Sequence, residues 1–190
     1  MNPIATLHMA NGRKIVIELL PESAPNTVNS FIYTASRGYL DHHAIERIVP
    51  GNWVDVSYTA FGKKECRYLI PNEFELNPDV EPLDSHPGSV CMGGYGEAGL
   101  AGCEFFFPLR DCPDHKGIYP VFGRVLEGMD ELYRLEKVET VPVTDYPIEG
   151  VEVNRPVKPE IIERVELELH GEIYPEPVRV REPELPECWK

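Results

Sequence analysis

Residues 39–51 read Tyr39-Leu40-Asp41-His42-His43-Ala44-Ile45-Glu46-Arg47-Ile48-Val49-Pro50-Gly51. A second stretch runs from Gly88-Ser89-Val90-Cys91-Met92 through Gly102-Cys103-Glu104-Phe105-Phe106 to Val121-Phe122-Gly123-Arg124-Val125. Both hold short runs of β-branched and aromatic residues punctuated by Gly and Pro, the pattern of strands separated by turns. Further runs on either side extend it, giving strands at 44–49, 53–59, 89–92, 104–107, 120–126 and 160–169. Their lengths and turn spacing predict a mainly β chain folded as an antiparallel barrel rather than βαβ units. Ile161 to Leu169 alternates apolar and polar residues and reads as the closing strand.

At the start of the chain, two alternating runs flank Asn11-Gly12, the pair that best tolerates the positive φ of a type I′ turn, so residues 4–20 read as a hairpin. Pro25 suits the first turn of a helix, and Val28, Phe31, Ile32 and Ala35 recur at three and four, predicting a helix over about 25–37 closed by Gly38. A shorter helix is predicted over Met129–Leu135. From His170 onward, Pro175, Pro177, Pro183 and Pro186 interrupt a glutamate-rich stretch. Residues 1–169 therefore read as one domain. Residues 170–190 read as an acidic, proline-rich tail that buries little, extended on the surface or mobile.

The chain has 190 residues, with 32 Asp and Glu against 18 Lys and Arg, a formal charge of −14. That length supports one well-buried core. The charge argues against nucleic acid, whose binding needs clustered cations. No apolar run spans a bilayer and the first residues do not form a signal peptide, so a soluble, cytoplasmic protein without membrane partners is expected. The five cysteines, Cys66, Cys91, Cys103, Cys112 and Cys188, are odd in number and irregularly spaced, which favours reduced thiols over a disulfide framework.

The two quoted stretches together resemble the active-site framework of the cyclophilin-type peptidyl-prolyl cis-trans isomerases. The resemblance extends over most of residues 4–169, including Pro25-Asn26-Thr27-Val28-Asn29-Ser30-Phe31, Ile70-Pro71-Asn72-Glu73-Phe74 and Val125-Leu126-Glu127-Gly128-Met129-Asp130. It implies an eight-stranded antiparallel barrel capped by two helices, with the substrate groove on its outer face. It also implies isomerisation of X-Pro bonds in peptides and unfolded proteins, in aid of folding, with no metal or organic cofactor. By position, Arg47 inherits the catalytic role. The substrate-binding positions carried over are Asn52, Trp53, Asp55, Met92, Gly93, Gly94, Tyr95, Glu104, Phe106, His115 and Tyr119.

The frame is kept while much of the pocket is changed. The family's aromatic wall falls on Asn52, and the glutamine that steadies the arginine falls on Asp55. Met-Ala-Asn-Ala-Gly becomes Met92-Gly93-Gly94-Tyr95-Gly96, and the glutamine of Gly-Ser-Gln-Phe-Phe becomes Glu104. A frequent tryptophan and histidine become Asp114, with His115 following, and Tyr119. Asp55 can pair with Arg47, either aligning the guanidinium or diverting it from substrate. Trp53, Tyr95, Phe106 and Tyr119 supply aromatic surface in place of the wall lost at Asn52. A pocket lacking the tryptophan donor is expected to bind cyclosporin poorly. Two functions stay open: an isomerase, and a cyclophilin-like module that grips proline segments without turning them over.

Other motifs carry less. Gly94-Tyr95-Gly96-Glu97-Ala98-Gly99 matches a dinucleotide fingerprint in letters but leads into a strand, so it reads as a flexible loop. Cys112-Pro113-Asp114-His115 lacks the paired Cys-x-x-Cys of a zinc site. His42-His43 reads as a solvated turn. Considered apart from the resemblance, Glu46 and Glu104 read as facing solvent or capping a basic group.

Overall fold

A computed structural model describes residues 1–56 and 63–189. Twelve short strands form one sheet: β1 (Ile4–Met9), β2 (Lys14–Leu19), β3 (His43–Ile45), β4 (Arg47–Val49), β5 (Trp53–Asp55), β6 (Leu69–Ile70), β7 (Ser89–Gly94), β8 (Leu100–Pro108), β9 (Val121–Glu127), β10 (Thr140–Pro142), β11 (Asn154–Pro156) and β12 (Glu160–Glu168). Three helices accompany it: α1 (Pro25–Ser36), α2 (Glu73–Leu76) and α3 (Met129–Leu135). The predicted strand over 53–59 is present to Asp55; its residues 57–59 lie outside the described residues.

The sheet order is β10-β11-β4-β5-β8-β7-β9-β2-β1-β12-β3, with β6 on β8. β3 and β4 are one run interrupted at Glu46; the first half pairs with β12 and the second with β5, so this single segment joins the two sides of the curled sheet. Counted as one strand with β1, β2, β5, β7, β8, β9 and β12, it completes the expected antiparallel eight. Alternation sends Ala5, Leu7, Ile15, Ile17, Val54, Phe105 and Phe107 into the interior, where Phe31 of α1 meets Phe105 edge-on at 5.2 Å.

The first hairpin differs from the expected two-residue turn. Met9 accepts from Gly12 N–H and donates to Arg13 O, making a three-residue loop with Gly12 at φ 85°. α1 closes as its sequence predicts: Gly38 N–H reaches Ala35 O and Tyr39 N–H reaches Thr34 O, with Gly38 left-handed. Its other end has Ala24 at the cap, which offers no side-chain acceptor. Buried Glu73 of α2 supplies one instead, accepting from Asn26 N–H at 3.2 Å, from Thr27 N–H at 2.7 Å and from the Thr27 hydroxyl at 2.5 Å. A carboxylate at a helix N-terminus is also favoured by the helix dipole.

His43 corrects the reading of His42-His43 as a solvated turn. It is buried in β3, its Nε2–H donates to Val56 O at 2.7 Å, and burial pushes its pKa down to about 4. His42 alone is exposed, at φ 54°. In segment 170–189, Trp189 near the end is 1% exposed, more burial than the segment's composition predicts. Among the described residues, no helix is long and apolar enough to cross a membrane.

Candidate active site

Strand register builds the site. Arg47 lies opposite Asp55, Asp55 opposite Phe106, and Phe106 opposite Cys91, so one row crosses β4, β5, β8 and β7 on the outer face of the sheet. The two-residue period of a strand then adds Trp53 beside Asp55 and Glu104 beside Phe106. β8 is buried along its whole length because one face, with Phe105 and Phe107, fills the barrel, while the other, with Glu104 and Phe106, floors a cavity of about 430 Å³.

The walls are aromatic. Trp53 and Phe106 rings lie 6.1 Å apart, Phe106 and Tyr119 5.8 Å, and His115 and Tyr119 4.8 Å, enclosing an apolar slot. Burial pushes the His115 pKa down, so the ring is neutral at pH 7 and serves as wall. Trp53 Nε1 and His115 Nδ1 are buried without a hydrogen-bond partner among the described residues. Arg47 lies at the edge of this slot, its guanidinium 5.5 Å from the Trp53 ring centre. Its Nη1 donates to Asp55 Oδ2 at 2.9 Å and its Nε to Glu152 O at 2.9 Å.

Of the positions carried over from the resemblance, Arg47, Trp53, Asp55, Gly93, Gly94, Tyr95, Glu104, Phe106, His115 and Tyr119 converge on the cavity. Met92 does not: alternation along β7 turns Cys91 to the site and Met92 into the barrel core. Asn52 is also outside, in the turn between β4 and β5, with its Oδ1 accepting from Arg110 Nε at 2.8 Å. Asp114 is exposed, and His115 takes the inward position. Gly93 packs closely on β8: a Cβ there would stand 3.2 Å from both Glu104 Cγ and Glu104 O, so a side chain would need Glu104 to give by a few tenths of an ångström. The Gly94–Gly99 stretch is a tight hairpin connection in which Tyr95 N–H bonds Gly99 O.

Tyr146, Ile148 and Val151 also line the cavity and went unrecognised in the sequence. They sit on the loop between β10 and β11, held against β4 where Asn154 Nδ2 donates to Ile48 O. In sequence they are scattered apolar residues of an irregular connection, Val143-Thr144-Asp145-Tyr146-Pro147-Ile148-Glu149-Gly150-Val151-Glu152-Val153, with no strand or helix period.

Glu104 is neither solvated nor paired with a base. It is 8% exposed, and Oε2 accepts from Tyr95 OH at 2.8 Å. Burial, and next the Asp55 charge, push its pKa up to about 8, so it is a neutral acid at pH 7, similar in shape and charge to the amide the family places there. The unfolded chain releases this proton near the ordinary value of 4.5, whereas the folded chain keeps it until about pH 8. The folded state thus binds more protons across that window, and stability falls as pH rises through it. Glu104→Gln is expected to flatten the slope of stability against pH between about 5 and 8, read by urea unfolding at each pH.

The "Cyclophilin type peptidyl-prolyl cis-trans isomerase/CLD" family model matches residues 4–173. Peptidyl-prolyl cis-trans isomerase-like 1 of Gibberella zeae is 31% identical over 154 residues, covering 80% of this chain and 91% of its own. The Mus musculus peptidylprolyl isomerase domain and WD repeat-containing protein 1 is 30% identical over 78% of the chain, but the match spans only 23% of that larger protein. A Cryptosporidium parvum cyclophilin type isomerase, crystallised in the presence of the dipeptide Ala-Pro, superposes with a TM-score of 0.64 at 20% identity, over 85% of this chain and 96% of that one. Sequence match and barrel agree, and the chain belongs to the cyclophilin-type peptidyl-prolyl cis-trans isomerase family.

Proposed function

We propose that this protein is a peptidyl-prolyl cis-trans isomerase acting on exposed X-Pro bonds of peptides and unfolded polypeptides. The observation that carries the proposal is a guanidinium, that of Arg47, fixed at the mouth of a slot walled by Trp53, Phe106, His115 and Tyr119. The barrier to prolyl rotation comes from delocalisation of the nitrogen lone pair into the carbonyl. A rigid, permanently charged donor aimed at that nitrogen localises the pair, while the slot holds the pyrrolidine ring and leaves the preceding carbonyl free to swing. The chemistry requires no bond cleavage, and Glu104 as a neutral acid adds no charge to compete for Arg47. A protease-coupled or NMR exchange assay on a short Ala-Pro peptide tests this directly; no acceleration above the uncatalysed rate overturns it.

One observation favours a second reading, a module that binds proline segments without isomerising them. Arg47 already spends donors on Asp55 and on Glu152 O. If Asp55 diverts the guanidinium, Asp55→Gln raises kcat/KM about threefold at pH 7, the equivalent of ~0.7 kcal/mol of barrier. A fall instead means that Asp55 holds the arginine productively.

Cyclosporin is expected to bind poorly. Asp114 is exposed, so the reason is the missing indole donor at that position together with Tyr119 in place of the histidine, not a buried charge. Submicromolar binding in titration calorimetry would contradict this.

A further inference from the structure

Segment 170–189 is tied to the domain at successive points. Asn26 exchanges hydrogen bonds with the Val178 backbone, donating to its O at 3.1 Å and accepting from its N–H at 2.8 Å. The Arg179 guanidinium lies over the Tyr68 and Tyr33 rings at 4.1 and 4.7 Å. Val180 N–H donates to Leu69 O at 2.9 Å. The segment then delivers Trp189 into a small apolar cluster with Leu69 and Ala101, against the Tyr95 ring at 5.5 Å and 80°.

The polar edge of that indole has a definite direction. Trp189 Nε1–H, which can only donate, reaches the Tyr95 hydroxyl oxygen at 3.2 Å. The phenol is thereby an acceptor toward Trp189, and its own proton points to Glu104 Oε2 at 2.8 Å. Trp189, 94 positions from Tyr95, thus heads a one-way chain through Tyr95 that ends on the buried Glu104 carboxyl in the cavity wall. The other charged or titratable groups facing that carboxyl are Asp55 on β5 and Arg47 on β4, with Cys188 behind Tyr95.

We propose that Trp189 is a positioning residue for the proline pocket: through Tyr95 it fixes which oxygen of Glu104 accepts a hydrogen bond, and so sets the polarity of the wall beside Arg47. Segment 170–189 is then a working part of the site. The consequence for turnover rests on the isomerase proposal; the effect on Glu104 does not. A polarised phenol is a stronger donor to a carboxylate, so losing the indole N–H makes Glu104 harder to ionise.

The test uses the full chain and the variants Trp189→Phe, Tyr95→Phe and the double variant. Trp189→Phe keeps an aromatic ring in the cluster but removes the N–H together with the volume of the second ring, so Tyr95→Phe, in which the indole stays in place, is the control for packing. The Glu104 carboxyl titration is followed by ¹³C NMR, and binding of an Ala-Pro peptide is measured on the same samples. Expected are a Glu104 midpoint moved to higher pH in Trp189→Phe, a larger move in Tyr95→Phe, and a double variant identical to Tyr95→Phe, because the indole acts only through the phenol. Peptide binding should weaken about threefold in Trp189→Phe, following the loss of one modest hydrogen bond. An unmoved midpoint in Trp189→Phe, or shifts that add in the double variant, overturns the proposal. A parent that neither binds nor isomerises the peptide would sink the isomerase reading while the titration still decides the role of Trp189.

Discussion

Replacing Arg47 with alanine is expected to lower kcat/KM on an X-Pro peptide at least tenfold, the equivalent of ~1.4 kcal/mol of barrier. The loss should lie mainly in kcat, because the guanidinium meets the prolyl nitrogen most strongly when its lone pair is localised. Stability should fall as well. The Arg47 and Asp55 side chains are only 15% and 5% exposed, so alanine removes the ion-pair partner of a buried carboxylate, at a cost of up to ~3 kcal/mol. Arg47→Lys separates the two effects: it keeps a positive charge near Asp55 but loses the planar fork, so it should recover most of the stability and little of the turnover. Rates are therefore compared at a temperature where every variant is folded. Turnover that survives Arg47→Ala unaltered would remove Arg47 from the mechanism.

Glu73→Ala should produce the largest change in stability. Its carboxylate serves the first turn of α1 and accepts from Asn77 Nδ2 at 2.7 Å as well, all in a fully buried position. Alanine leaves the Asn26 and Thr27 N–H groups buried and unsatisfied beside a cavity, a loss of about 3–5 kcal/mol. For a chain of this size that corresponds to a drop of roughly 6–20 °C in Tm by calorimetry. Glu73→Gln keeps the shape and one acceptor and should lose about half as much. A Tm within two degrees or so of the parent for both variants would show that α1 is capped by other means.

What could be read from the sequence depended on how local its cause was. α1, its glycine stop and the alternating strands rest on neighbouring residues, and their spacing revealed them. The cap of α1 did not, because its acceptor, Glu73, is 46 residues from the Thr27 it serves. Positions such as Arg47, Asp55 and Phe106 could be placed through a motif, and strand register explains why they converge. Met92 was misassigned because a motif names residues without saying which face of the strand each one takes. Glu104 looked ordinary as a strand carboxylate, since the groups around it, Tyr95, Asp55 and Arg47, are brought there by strand pairing and not by its own run of sequence. The loop carrying Tyr146, Ile148 and Val151 has no periodicity to betray it; it reaches the cavity only because β11 pairs with β4.

The pairing of β1 with β12 fixes when the molecule can be completed. His8 and Glu166 side chains, 158 positions apart, meet across that seam. A ribosome working at the usual pace needs on the order of ten seconds to make the intervening chain. Throughout that interval β1 has β2 on one side and nothing on the other, and β3 likewise awaits the same late strand. The nascent chain thus exposes two open strand edges that are templates for wrong partners. Sealing them requires long loops to close first, which places this fold among the slow ones. A protein proposed to ease the folding of others must itself spend its synthesis as a candidate for such help.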